Sequence, residues 1–248
     1  MTDEDLAARL AQEAGDLLLE LRSAHSPADP NLGFVADKAA NTLILERLRA
    51  WRPDDAILSE ESPDCLERLA NDRVWIIDPL DGTREYTEGR SDWAVHVALA
   101  VNNAPTLGAV ALPAKKLLFR SDRVEASPSS RERPLMVVSR TRPPPETAAI
   151  ADMLGAELVP LGSAGAKAMA VVAGEADVYY HSGGQHEWDN CAPVAVAIGA
   201  GLHASRVDGR ALVYNNANSL VPDLVIAPRE LSLRIIAFCH SQIDKEGS

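Results

Sequence analysis

Apolar positions along this chain follow two different periods, and the switches between them outline its architecture. From Leu6, the residues Leu10, Ala14, Leu17, Leu18 and Leu21 recur every three or four positions, which predicts an amphipathic helix ending near Ser23. Residues 37–51 repeat that spacing through Ala40, Leu43, Ile44 and Leu48, with Asp37 where an acid favours a helix N-terminus. The period then shortens. Residues 56–58 and 73–77 read as strands, and each runs into acids, Glu60-Glu61 and Asp78. Runs 93–101 and 106–112 flank Asn102-Asn103, a pair suited to a hairpin turn, and 117–120 reads as a further strand.

The stretch "SDRVEASPSSRERP" at 121–134 is polar and interrupted by prolines, and it reads as a linker or an exposed crossing. It divides the chain into an α+β lobe, 1–127, and an α/β lobe, 128–248. In the second lobe, strands at 135–139, 157–161 and 177–180 alternate with helices at 146–154, 163–173 and 189–199. Strands near 211–214 and 223–227 and a closing helix follow. This alternation predicts an α/β layer. No internal repeat or heptad array occurs, and "PPP" at 143–145 is a stiff loop.

Composition narrows the function. A length of 248 residues with 46% hydrophobic content allows ample buried core. A formal charge of −12, with no stripe of Lys and Arg, excludes a nucleic-acid-binding surface, and an acidic protein that handles an anion calls for a cation to offset the repulsion. Cys65, Cys191 and Cys239 are far apart, which argues against a zinc knuckle or a disulfide framework. The N-terminus begins Thr2-Asp3-Glu4-Asp5, unlike a secretory signal, and no apolar run reaches the roughly 20 residues of a membrane helix. A soluble cytoplasmic protein with no membrane partner is expected.

The chemistry concentrates in "WIIDPLDGTREY" at 75–86. Pro79 keeps Asp78 extended, and the turn through Leu80 brings Asp81 back beside it, so that two carboxylates face one point. An all-oxygen cluster of this kind suits Mg2+ or Mn2+ better than zinc. Gly82 leaves room for a ligand, and Thr83 opens a new helix whose free N–H groups suit a phosphate. A turn with caps explains the same six residues, just as an N-cap explains Asp189 and a solvated loop explains Glu61.

Three separated motifs, "SEES", "WIIDPLDGT" and "EWDNCAPVAVAIGAG", resemble in order and spacing the metal-binding motifs of the inositol monophosphatase superfamily. The resemblance extends over the whole chain, through "VADKAANTLILERL" and "GSAGAKAMAVVAGEADVYY". It implies a layered α-β-α-β-α sandwich of the inositol monophosphatase and sugar phosphatase type. It also implies a lithium-sensitive phosphomonoesterase holding two or three Mg2+ ions, with Mn2+ as substitute, and a possible homodimer. By matching position, Glu60, Asp78, the Leu80 carbonyl, Asp81 and Asp189 would be metal ligands. Thr83 and Glu60 would orient the attacking water, and Asp37 would stand near a third metal. The first lobe would thus carry Glu60 and the Asp78–Asp81 motif, and the second Asp189 and the substrate-binding elements.

Local variants are similar to the CysQ-type 3'(2'),5'-bisphosphate nucleotidase branch: Arg84-Glu85-Tyr86 after "DGT", "WDNCAP", and "VVSRTR" at 137–142. The resemblance implies hydrolysis of the 3'-phosphate of adenosine 3',5'-bisphosphate, and a link to sulfate assimilation. Substrate contacts would come from Asp81, Gly82, Thr83, Arg84, Ser139, Arg140, Ser163, Lys167 and Asp189. Arg140 is suited to a second phosphate, Ser163 to the sugar-phosphate, and Lys167 to a point-charge contact. A solvated strand end accounts for Arg140 as well, and a helix cap with a surface lysine for Ser163 and Lys167. The alternatives are a broad inositol or fructose 1,6-bisphosphatase and a metal- or nucleotide-binding regulator without catalysis. Departures from the pattern are the shortened "FVADKAAN" around Asp37 and Asn190 where nucleotidases often carry Thr. Glu187 reads as a rim acid in preference to a distal contributor to the site, His181 and His186 as loop residues, and Glu85 as a solvated or substrate-side helix residue.

Overall fold

Alternation within the strands decides the layering. The structure is a computed structural model that describes residues 1–26, 29–127 and 131–246, with the side chains of 243–246 left aside. Helices α1 (Asp3–Ala24) and α2 (Leu32–Trp51) precede β1 (Ala56–Ser59) and β2 (Arg73–Asp81). The short α3 (Thr83–Thr87) leads to β3 (Ala94–Val101), β4 (Ala104–Leu112) and β5 (Leu117–Arg120). Then come β6 (Leu135–Ser139), α4 (Thr147–Leu154), β7 (Glu157–Leu161), α5 (Ala164–Val172) and β8 (Val178–His186). Helix α6 (Glu187–Gly199), β9 (His203–Ser205), β10 (Leu220–Ala227) and α7 (Arg229–Glu246) complete the chain.

Among the described residues the strands form two five-stranded sheets, ordered β1-β2-β3-β4-β5 and β7-β6-β8-β10-β9. In β2, Trp75 and Ile77 face α1 and α2, packing with Leu10, Ile44 and Leu48, whereas Val74 and Ile76 face the opposite way. That second face meets α5 and α6, which also cover Val137, Tyr179, Leu224 and Ile226 of the other sheet. Met136, Val178 and Val225 point outward, to Ile150 of α4 and Ile235 of α7. The result is the expected layered α-β-α-β-α sandwich, whose central strands β2, β3, β8 and β10 are covered on both faces while the edge strands β5 and β7 are largely exposed.

Four expectations need correction. Helix α2 begins at Leu32 rather than near 37, so Asp37 lies in its second turn and not at its N-terminus. Residues 211–214 are not a strand; Leu212 and Tyr214 are buried because the Tyr214 N–H donates to the Asn103 carbonyl at 3.0 Å, which anchors the segment to the β3–β4 turn. The partner of β10 on that edge is β9. Strand β8 runs on to His186, past the expected end at 180, since it pairs with β10 as far as Leu220. The linker expected at 121–134 is tied down where it is described: Ala126 N–H donates to Ala200 O and Ser127 N–H to Val172 O, each at 3.1 Å. The expected lobe boundary at 127/128 abuts residues 128–130, which lie outside the described residues.

Helix α6 carries Asp189, and its distance from the first sheet is set by one glycine. A Cβ on Gly108 would fall 2.6 Å from the Ala192 carbonyl oxygen and 2.9 Å from Ala192 Cα, both of them backbone atoms. Gly108→Ala is therefore expected to push α6 off β4 at a cost of about 1–3 kcal/mol. A thermal melt of the variant checks this, and an unchanged midpoint would contradict the close approach.

Candidate active site

Strand β2 delivers its acids to the C-terminal edge of the first sheet. Asp78 Oδ1 accepts from the Leu80 N–H at 3.1 Å, which closes the turn that brings Asp81 round, while Asp78 Oδ2 is buried without a hydrogen-bond partner. Gly82 follows with φ +89°, a left-handed conformation open to glycine, and a Cβ there would crowd Ser163 Cβ at 3.2 Å. The Thr83 hydroxyl then donates back to the Leu80 carbonyl at 3.2 Å.

Asp189 arrives from the other sheet, in the first turn of α6, where its Oδ2 accepts from the His186 N–H at 2.5 Å. One oxygen from each of Asp78, Asp81 and Asp189 lies within 4.8 Å of the others. Asp81 Oδ2 is surrounded by donors: Ser163 Oγ at 2.5 Å, Gly165 N at 2.7 Å and, in an ion-pair contact without hydrogen-bond alignment, His96 Nε2 at 3.2 Å. Glu60 stands at the solvent edge of the group and abuts Asp78, outside the tight trio; Asp37 lies beyond it, near Glu61 and Thr83.

Electrostatics sort these carboxyls. Burial and the charges of Glu60 and Asp81 push Asp78 well above the usual carboxylate range. Burial and neighbouring acids raise Glu60 to about 7, Asp189 to about 6 and Asp37 to about 8. Burial opposes ionisation of Asp81 too, yet His96, Lys167 and Ser163 outweigh it and hold Asp81 at about 2. A buried oxygen without a partner on Asp78, and another on Asp37, are what a cation would satisfy. The donor set is all oxygen, so it fits a hard divalent ion.

Two of the trio, Asp81 and Asp189, open onto a cavity of about 410 Å³. Gly82, Thr83, Arg84, Ser139, Arg140, Ser163, Lys167 and the 181–185 end of β8 line it together with Asp81 and Asp189. The structure thus brings every expected substrate-side residue to one space, but not in equivalent states. Arg140 is engaged: its guanidinium donates to Glu85 Oε1 at 2.8 Å and to Glu88 Oε2 at 2.7 Å. Lys167 is buried, donates to the carbonyls of Gly162 (3.1 Å) and Ser163 (2.5 Å), and is lowered to about 8 by burial despite the surrounding acids. Ser163 caps α5 through the Ala166 N–H, and Ser139 Oγ accepts from the Arg142 N–H.

Several side chains differ from their sequence reading. Glu187 is not a rim acid: it is fully buried and accepts from the backbone N–H groups of Asn215 and Asn216 at 2.7 and 2.8 Å, fixing the segment after Tyr214. Glu85 is buried rather than solvated, because Arg140 covers it. His181 and His186 belong to β8, not to a loop. Asn190 accepts from Tyr214 Oη at 2.9 Å and donates to Gln185 and His186. Sequence reasoning passed over His96; its signal was a lone polar residue in the apolar run "AVHVALAV".

Comparison with known proteins places the chain in a family. The model of the inositol monophosphatase family matches residues 4–242. A Mycobacterium leprae protein named 3'-phosphoadenosine 5'-phosphate phosphatase is 49% identical over 94% of this chain and 91% of its own. The Escherichia coli 3'(2'),5'-bisphosphate nucleotidase CysQ is 30% identical over 88% of this chain and 96% of its own. Among solved structures, CysQ from Bacteroides thetaiotaomicron superposes with a TM-score of 0.81 at 27% identity, covering 92% of this chain and 97% of that one.

Proposed function

This chain belongs to the inositol monophosphatase family, and from that premise we propose that it removes the 3'-phosphate of adenosine 3',5'-bisphosphate, giving AMP and inorganic phosphate. The observation that carries the metal-dependent phosphatase is the meeting of Asp78, Asp81 and Asp189 oxygens within 4.8 Å, with Asp81 and Asp189 at the wall of the cavity. The choice of substrate is supported by the names of the relatives and by "DGTREY", "SRTR" and "WDNCAP".

Asp78, Asp81, Asp189, Glu60 and the Leu80 carbonyl would hold Mg2+, two or three ions in all. When bound, the metal supplies a water of lowered pKa and neutralises charge on the phosphate oxygens. The protein's own groups do the rest. Asp37 and the Leu80 carbonyl both offer acceptors to the Thr83 hydroxyl, so the lone pairs of Thr83 Oγ1 remain to accept a hydrogen from water and aim it. Glu60, at the open edge, orients the same water. The 410 Å³ cavity falls in the size range of about 300–1,000 Å³ typical of small-molecule sites. Arg84 and Lys167 on its walls would offset the second phosphate, while Arg140, held by Glu85 and Glu88, adds charge beside Ser139 and would have to release those acids to grip a phosphate with both arms.

The test is phosphate release measured side by side on adenosine 3',5'-bisphosphate, inositol 1-phosphate and fructose 1,6-bisphosphate, across a Mg2+ titration and with added lithium. Turnover of the nucleotide should exceed that of the other two, should vanish in chelator and should be inhibited by lithium. Equal or faster hydrolysis of inositol 1-phosphate would refute the substrate, and no release on any of the three would favour a binding module. On this reading the reaction belongs to the cytoplasmic side of sulfate assimilation; among the described residues no helix is long and apolar enough to cross a membrane. A homodimer, expected from the family resemblance, is retained as part of the proposal.

A further inference from the structure

We propose that His96 on β3 is a positioning residue for the ion: its imidazole holds Asp81 in register with the start of α6, so that Asp81 and Asp189 present oxygens to the same cation. The inference rests on the metal-dependent reading above. His96 is 0% exposed, and its two ring nitrogens reach two different elements. Nδ1 lies 3.1 Å from the carbonyl oxygen of Trp188, the residue immediately before Asp189. Nε2 lies 3.2 Å from Asp81 Oδ2. A carbonyl oxygen only accepts, so Nδ1 carries a hydrogen and donates it, and the ring plane is fixed between α6 and the end of β2.

The surroundings are shaped to admit this ring. A Cβ on Gly165 would fall 2.1 Å from His96 Nε2 and 3.0 Å from Ala94 Cβ. Glycine in the first turn of α5 costs about 1 kcal/mol relative to Ala, and here it leaves the space the imidazole occupies. The Gly165 N–H and Ser163 Oγ approach the same Asp81 oxygen as His96. Two donors and the imidazole contact therefore hold Oδ2 and fix the orientation of the Asp81 carboxylate. Ser163 and Gly165 come from the start of α5; His96 is the member of this group that also touches the backbone next to Asp189. Side chains that hold a metal ligand from behind in this way typically govern metal affinity by about 10–100-fold.

Two variants separate positioning from mere filling. His96→Gln sets an amide near the depth of Nε2 and keeps a donor for Asp81; His96→Asn sets one near Nδ1 and keeps the tie to Trp188. Mg2+ binding to the chelator-treated, dialysed full chain is followed by calorimetry, with a thermal melt in chelator and the kcat and KM of the nucleotide at saturating Mg2+ alongside. The Asn variant should bind Mg2+ about 10–100-fold more weakly, with KM little changed, and the Gln variant should stay within a few-fold of wild type. Asn binding as tightly as wild type, or both variants weakening equally, would overturn the role of His96 and leave a structural tie between β3 and α6. Failure of the wild-type chain itself to bind Mg2+ would instead overturn the metal reading, and the inference with it.

Discussion

Asp81→Asn is expected to lower kcat at saturating Mg2+ by about 10³-fold, the equivalent of about 4 kcal/mol of lost charge stabilisation, while the fold survives. Asp81 is the one acid of the trio held ionised well below neutrality, at about 2, so it brings full charge to the ion without first losing a proton. An Asn can keep its carbonyl oxygen toward Ser163 and Gly165, and it then turns an amide NH2, which cannot bind a cation, toward Asp78 and Asp189. Volume hardly changes, and one charge leaves a group of mutually repelling carboxyls. Steady-state phosphate release and a circular-dichroism melt check both halves. Wild-type turnover at limiting Mg2+ would remove Asp81 from the ligand set; a collapse of the melt would mean that the Asp81 contacts are structural first.

How far this site could be read from sequence depends on how local each part is. Asp78, Asp81, Gly82 and Thr83 lie within one strand-turn-helix unit, and Pro79 and Gly82 dictate that turn by themselves. The layering was expected through the family resemblance, and the unbroken apolar runs of β2 and β3 agree with it, since such strands need apolar cover on both faces. The state of Arg140 was not legible. It is set by Glu85 and Glu88, which reach it only after the two sheets are stacked. Glu187 was misread for the same reason: nothing adjacent to it announces that Asn215 and Asn216 will satisfy its carboxylate in the interior. Residues 211–214 carry apolar spacing that suits a strand, but their partner is a turn, so the pattern marks burial without a ladder. His96 shares the inward face of β3 with Ala94 and Ala98, and what separates it from an ordinary core histidine, its contacts to Asp81 and to the Trp188 carbonyl, comes from elements distant in sequence.

In chelator, the protein is expected to become less stable as pH rises from about 4 to 8, and Mg2+ should abolish that loss. The sign follows from the direction of the shifts. Asp78 sits well above its ordinary range, Asp189 at about 6, Glu60 at about 7 and Asp37 at about 8 in the fold, whereas all four ionise near 4 when unfolded. Between those limits the folded chain binds more protons than the unfolded one, so unfolding free energy falls with increasing pH. His96, raised by Asp81 against the opposing effect of burial, has the same sign, since a folded imidazolium is lost at higher pH than an unfolded one. Asp81 has the opposite sign, but its window lies between about 2 and 4 and does not overlap. Discounting Glu60 for its contact with solvent, the combined effect is on the order of a few kcal/mol, or roughly 5–10 °C in melting midpoint for a chain of 248 residues. A divalent ion binds the ionised cluster of the folded chain, so its stabilisation should be larger at pH 8 than at pH 5. Melts at these two pH values with chelator and with Mg2+ make the comparison. A metal-free midpoint that rises toward pH 8 would mean that the carboxyls are not forced together as the structure places them, because repulsion among them could not then be the dominant strain on the fold.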